Sequence, residues 1–421
     1  MTSDGDTVFV WTWLPGATEP VVAGTVTFRS GSYRFNYGQS YLARPDAMSL
    51  YSPELPLQGG ILEPEPGLVM AGALRDGLPD GWGRAVLDAR ENVPEGSLTE
   101  FDYMLKSGSS RFGANDFQAS FERYVPRNET ATLDELHEAA QRLMDREPIS
   151  AALKEALVDG TAIGGARPKA VVTDGEVEYI AKFSASNDLV FPVVNAEGTA
   201  MLLAARAGLD VSEVTVTRSL HRDVLLVRRF DRGHGTRRHT VSALTMLKST
   251  ESRNPTWSYP ALLDVLREYS AAPEAVGPEL FRRIAFNMAV SNSDDHPRNH
   301  AAFWDGTHLD LTPAFDLAPG NRSGDTATQV MAYGRDGQRR SNFADLVAQA
   351  HVYGLSERQG REAIDHIEST IREHWVSAAD EARLPDADRD RIFGMQFLNN
   401  GLFYGYREPL TGVGWSGPSS E

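Results

Sequence analysis

The chain has 421 residues, enough for two or three domains and a large buried core. Its hydrophobic (41%) and charged (24%) fractions are those of an ordinary globular protein, it contains no run of about 18 apolar residues that could span a membrane, and the absence of cysteine excludes disulfides, thiolate catalysis and cysteine zinc sites. A formal net charge of −17 opposes broad contact with a nucleic-acid backbone, and the start "MTSDGDTVFV" has neither the basic nor the apolar region of a secretory signal, so a cytoplasmic location is expected.

In chain order, roughly the first 60 residues read as β structure. "TVFVWTW" alternates in hydropathy, and "VAGTVTF" and "SYRFNY" flank the turn signal "RSGS", which predicts a hairpin. "LPDGWGRAVLDARE" is a loop leading through Pro79 and Gly81 into a short helix. "FERYVPRNETAT" reads as a linker ending at Thr132, whose T-x-x-E with Glu135 is a capping box for the helix "LDELHEAAQRLMDRE". A second helix, "ISAALKEALVDG", stops at Gly160.

From 161 to 232 the pattern changes. "KAVVTDGEVEYIAKF" is a hairpin around Asp174-Gly175, "PVVNAEGTAMLLAARAGLDV" a helix between Pro192 and Gly208, and "SEVTVT" and "DVLLVRRF" are two more strands. Beyond 257 most segments read as helix, including "ELFRRIAFNMAVSN", "REAIDHIESTIREHWVSAADEA" and "RDRIFGMQFLNNGLFYG"; the hairpin-like "HAAFWDGTHLDLTPAFD" is the exception. There is no internal repeat or low-complexity tract. The outline is α+β: a β-rich N-terminal part (1–127), a small α+β lobe (128–232) and a large helical lobe (233–421).

Several polar residues stand out against this frame. Lys182 shares a strand face with Ile180 and Glu178, so its ammonium leaves the sheet on one side. Glu197 follows inside an apolar helix pattern, and a strand lysine with a helix glutamate is how protein kinases hold the α- and β-phosphates of ATP. "GGARPKA" (164–170) is neither a Walker A nor a G-x-G-x-x-G loop. Its two glycines can still bring backbone N–H groups near phosphate, with Arg167 and Lys169 adding positive charge. In "SNSDDHPRNHAAFW" (291–304), Asp294 and Asn299 have the spacing of a base for an attacking hydroxyl and a neutral oxygen ligand for Mg²⁺. After the hairpin, Phe315 and Asp316 in "LTPAFDLAP" stand where kinases carry a second metal carboxylate.

The ordered set resembles the HipA family of serine/threonine kinase toxins of type II toxin–antitoxin systems. The likeness rests on "GGARPK", "IAKF", "NAEGTAMLLAARAGLDV", "LLVRRFDR", "NSDDHPRNHAAFW" and "LTPAFDLAP", with "GTVTF…FNYGQSYL…SPELPL" and "LPDGWGR" matching the N-terminal subdomain. The resemblance implies a bilobal protein-kinase-like fold using ATP and Mg²⁺. It implies that Asp294 is the catalytic base, that Asn299 and Asp316 coordinate Mg²⁺, and that Lys182, paired with Glu197, holds the phosphates. Backbone groups of Arg228, Arg229 and Phe230 would meet the adenine ring. His296, Phe315 and the loop Gly164, Gly165, Ala166, Arg167, Pro168 and Lys169 would line the nucleotide site. The implied partners are a helix-turn-helix antitoxin of the HipB type, which carries the operator DNA contacts, and a protein substrate such as an aminoacyl-tRNA synthetase; no membrane is involved.

Three positions depart from the family pattern. Ala162, beside Thr161, stands where members autophosphorylate a serine, Arg228 replaces a frequent acidic residue, and Arg298 replaces a common lysine. Two other readings compete. A metal-dependent phosphohydrolase could use Asp294, Asp295, His296, His300 and Asp316 as metal ligands, and a degenerate kinase fold could serve only as a binding partner. A zincin is excluded, because Gln141 occupies the second histidine position after "HE" in "LHEAAQ".

Overall fold

The computed structural model of the protein describes residues 7–128, 131–165, 167–184 and 192–407. An antiparallel N-terminal sheet contains β1 (Thr7–Thr12), β2 (Val21–Arg29), β3 (Ser32–Tyr37) and β4 (Asn115–Gln118), in the order β3-β2-β1-β4. The expected β2–β3 hairpin is present, with Arg29 opposite Ser32. The strand β4 had not been anticipated, because all four of its residues are buried and nothing in it alternates. Its Asp116 is held by Arg111 and Arg127.

The second four-stranded sheet is β5 (Lys169–Asp174), β6 (Val177–Phe183), β7 (Val214–Ser219) and β8 (Arg222–Arg228), in the order β5-β6-β8-β7. Its two faces are covered differently. Ala181, Phe183 and Val224 pack on the helices Leu133–Met144 and Gly81–Glu91, whereas Leu225, Val227 and Val216 pack on the helix Val193–Arg206 through Val194. The Thr132–Glu135 capping box forms as expected, with both reciprocal bonds present.

The C-terminal lobe is built on the helices Tyr259–Tyr269, Pro273–Ala289 and Glu357–Glu381. The expected hairpin, Ala301–Trp304 with Leu309–Leu311, takes a third strand, Thr240–Ser242, on its other side. "RDRIFGMQFLNNGLFYG" is not one helix. Helix covers only Asp386–Ile392, Gly394 adopts φ +82°, and a short turn of 3₁₀ helix returns at Asn400–Phe403. The helix stops at Phe393, whose backbone is extended (φ −67°, ψ 131°), and the left-handed Gly394 that follows keeps the run from resuming, whatever the apolar spacing around it.

One apolar core runs from Val8, Val10 and Phe35 of the N-terminal sheet through Leu244 to Phe286 and Ile371. The N-terminal part is therefore fused to the helical lobe. Asp76 reinforces the junction by accepting from the Ser242 backbone N–H (2.7 Å), the Ser242 hydroxyl (2.7 Å) and the Thr245 hydroxyl (2.8 Å). Among the described residues no helix is long and apolar enough to cross a membrane.

Candidate active site

The site lies where the second sheet meets the helical lobe. Lys182 is next to last on β6, opposite Leu225 of β8. Gly198 lets the helix Val193–Arg206 come down onto β7 and β8: a Cβ there would sit 2.7 Å from Val216 Cγ2 and 3.4 Å from Leu225 Cδ1. The close approach brings Glu197 beside the lysine, with Lys182 Nζ 2.5 Å from Glu197 Oε1. Lys182 also donates to Asp316 Oδ1 from the far lobe. Burial disfavours the Lys182 ammonium, but Asp316 and Glu197 outweigh it and hold its pKa above the ordinary lysine value. Burial pushes the Glu197 carboxyl up, against the pull of Lys182.

Asp316 is positioned from several sides. The segment before it is pinned by Ser212 N–H to Ala314 O (2.9 Å) and Ala314 N–H to Asp210 O (2.8 Å). Asn292 Nδ2 then donates to Asp316 O at 3.2 Å. The residue itself adopts φ +59°, a left-handed conformation that aspartate tolerates but that most side chains avoid. Burial would raise its carboxyl, yet Lys182 and Lys169 hold it well below the usual carboxylate range.

The two neighbouring aspartates of the loop after the helix Pro273–Ala289 have opposite surroundings. Asp295 is buried and accepts from the Tyr259 hydroxyl, from Asn287 Nδ2 (2.7 Å) and from His300 Nε2 (2.8 Å). Burial and the Asp295 charge push the Tyr259 phenol far above its ordinary value, so the phenol is the donor. Asp294 is exposed and makes no hydrogen bond among the described residues. The loop thus roots itself through Asp295 and presents Asp294 unpaired. Of the five residues a metal-dependent hydrolase would use, Asp295 and His300 are consumed by this buried network and do not reach the cleft.

The cleft has a volume of about 880 Å³ and is lined by Gly164, Gly165, Arg167, Lys169, Lys182, Arg228, Arg229, Phe230, Asp294, His296, Asn299, Phe315 and Asp316. Two expected nucleotide contacts fall behind this wall. Glu197 reaches the cleft only through Lys182, and Pro168 faces inward, its carbonyl accepting from Phe183 N–H at 3.1 Å. Ala166 lies outside the described residues. The hinge expectation narrows as well. The backbone N–H of Arg228 donates to Glu213 O and that of Arg229 to Glu178 O, both at 2.9 Å, which leaves Phe230 to offer an N–H to a base. The Arg229 guanidinium points away, onto Asp231, Ser110 and Arg111 O. The Phe230 and Phe315 rings line the cleft 5.5 Å apart, with the buried Phe303 ring packed against Phe230 at 5.7 Å.

Asn299 and Asp316 suit a hard divalent cation, since they offer a neutral carbonyl oxygen and a carboxylate held in its ionised form. Among the described residues no group of three or more His, Cys, Asp or Glu could enclose a metal. Such an ion would be shared with phosphate oxygens, as Mg²⁺ ordinarily is. His296 contributes a buried Nδ1 without a partner on the same wall.

The positions that depart from the family pattern resolve individually. Arg228 turns outward to Glu213 at 2.8 Å, and Arg298 pairs with Glu251 at 2.5 Å. Ala162 and Thr161 are both fully buried, and the Thr161 hydroxyl donates to Val158 O at 2.6 Å. Tyr259, Asn287, Asn292 and Asp80 were assigned no role from the sequence. Asn292 sits inside the polar loop, but its contact with Asp316 O spans 24 residues and no spacing rule announces it.

Comparison with known proteins gives consistent matches. The HipA-like C-terminal domain model matches residues 161–375 and the HipA N-terminal domain model matches residues 17–118. Y4mE of Sinorhizobium fredii, described as a putative kinase, is 28% identical over 176 residues, which is 37% of this chain and 41% of that relative's length. The solved HipA of Shewanella oneidensis MR-1, in complex with HipB and operator DNA, superposes with a TM-score of 0.65 at 20% identity, covering 91% of this chain and 93% of that one.

Proposed function

This chain belongs to the HipA family, and on that premise we propose that it is an ATP- and Mg²⁺-dependent serine/threonine protein kinase, the toxin half of a toxin–antitoxin pair. The observation that carries the reading is Lys182, one ammonium tied to both Glu197 and Asp316 across the interlobe cleft, with the unpaired Asp294 lining the same cleft. Lys182 holds the α- and β-phosphates, and Glu197 keeps it pointed at them. Phe230 offers its N–H to the base while the Phe230 and Phe315 rings exclude water beside it. Asp294 accepts the proton of the incoming serine or threonine hydroxyl, and Asp295 keeps that carboxylate in place through its own three bonds. Asn299 and Asp316 would hold Mg²⁺, which would supply charge neutralisation for the phosphates.

The partner in this reading is a HipB-type helix-turn-helix protein that carries the operator DNA. The chain's charge of −17 suits that division of labour, and the Shewanella protein is described in such a complex. The substrate is a cytoplasmic protein, with aminoacyl-tRNA synthetases the first class to examine. The test is phosphotransfer from γ-labelled ATP in the presence of Mg²⁺ to purified synthetases. Label on a serine or threonine with the wild type, and none with Asp294→Ala, is the expected result. Phosphoester hydrolysis that needs no ATP would refute the reading in favour of the hydrolase.

A further inference from the structure

We infer that Asp80, supplied by the N-terminal part, is a positioning residue that sets the phosphate-facing loop 164–169 against the catalytic loop, so that the nucleotide site is incomplete without that part. This rests on the kinase reading above.

Asp80 precedes the helix Gly81–Glu91 in the N-cap position with an extended backbone, yet its side chain does not cap that helix. An aspartate there ordinarily accepts from the first turn of its own helix. Here Oδ1 reaches 85 residues along the chain and accepts the Gly165 N–H at 2.5 Å. Oδ2 lies 3.9 Å from Arg298 Nε in the catalytic loop. The carboxylate therefore faces both loops that would flank the phosphates, and both loops line the cleft together with Asp80 itself.

The residues after Asp80 tighten the same clamp. Trp82 N–H donates to Gly165 O at 3.2 Å, and Trp82 Nε1 donates to Lys169 O at 3.0 Å. A Cβ on Gly83 would fall 1.9 Å from Thr161 O, so the helix start is seated directly on the loop backbone. Gly165, gripped on both its N–H and its carbonyl, adopts φ +115°, and a Cβ there would meet Lys169 Nζ at 2.1 Å. No residue but glycine suits that position. Lys169 Nζ holds the loop from within by donating to Gly164 O, and the Asp80–Gly83 segment holds it from the N-terminal part. The negative charge is tolerable beside phosphate because Arg298 and the buried Lys169 stand next to it.

The test compares ATP, ADP and adenosine binding by calorimetry in the full-length protein. In Asp80→Ala the Kd for ATP and ADP should rise about tenfold, as loss of one charge-assisted hydrogen bond implies, while adenosine binds as before. Asp80→Asn keeps an acceptor for the Gly165 N–H but not the charge facing Arg298, so its loss should be smaller than that of alanine. Asp80→Ser is a good N-cap too short to reach Gly165, so it should fold at least as well as wild type and lose phosphate affinity like alanine. Unchanged or tighter ATP binding in the alanine and serine variants would overturn the inference, and so would equal losses for adenosine. If the wild type bound no nucleotide at all, the kinase reading itself would fall, and this inference with it.

Discussion

Asp294 and Asp295 are adjacent and chemically identical, but their substitution by alanine should have opposite consequences. Asp295→Ala removes the common acceptor of the Tyr259 hydroxyl, Asn287 Nδ2 and His300 Nε2, three donors on residues that are at most 3% exposed. Each of the three buried donors left without a partner costs about 1–3 kcal/mol, so the variant should lose on the order of 3–9 kcal/mol, at or beyond the upper end of single substitutions. Asp294 is exposed and has no hydrogen bond to lose, so Asp294→Ala should stay within about 0.5 kcal/mol of the wild type. Its effect should fall on turnover instead, by roughly 10²–10⁴-fold if it is the base. Urea denaturation followed by tryptophan fluorescence, run beside a phosphotransfer assay on both variants, separates the two effects. An Asp295→Ala protein as stable as wild type would refute the argument, as would an Asp294→Ala protein destabilised to the same degree.

Glu54 makes a second expectation, in pH. Burial, with a smaller contribution from Asp76, raises its carboxyl from 4.5 to about 7 despite bonds from the Ala73 and Gly72 N–H groups. The folded state then holds a proton the unfolded state releases, so stability should fall by about 3 kcal/mol between pH 4.5 and 7 and level off above. Thermal unfolding of Glu54→Gln should show a flatter profile over that window; an identical slope would exclude Glu54 as its source. A third expectation concerns self-modification. Thr161 is fully buried with its hydroxyl bonded to Val158 O, and Ala162 cannot carry phosphate, so mass spectrometry after incubation with Mg²⁺ and ATP should find none at 161–169. Stoichiometric phosphate there would contradict the buried geometry.

The parts of the site that could be read from the sequence are those whose partners obey local rules. Lys182 and Glu197 follow each other as strand and helix, and Asp294, Asn299 and Asp316 bracket one hairpin, so their order alone carries meaning. The parts that could not are set by tertiary contact. Which of two adjacent aspartates is rooted depends on Tyr259 and Asn287, which no spacing links to them. The Asp80–Gly165 bond joins segments 85 residues apart, and its sequence cue, "PDGW", reads equally well as an ordinary helix start. The strand β4 was missed because burial on both faces erases alternation. The segment after Ile392 was over-read as helix because its apolar spacing persists past Gly394, where the backbone turns left-handed.

The central claim is a nucleotide site in which Lys182, Asn299 and Asp316 act together, and its most direct test is calorimetric titration of ATP with and without Mg²⁺ into the wild type and Asp316→Ala. The wild type should bind ATP more tightly with Mg²⁺ than without, and Asp316→Ala should lose that difference. Failure to bind ATP under any condition, or binding equally indifferent to Mg²⁺ in both proteins, would contradict the account.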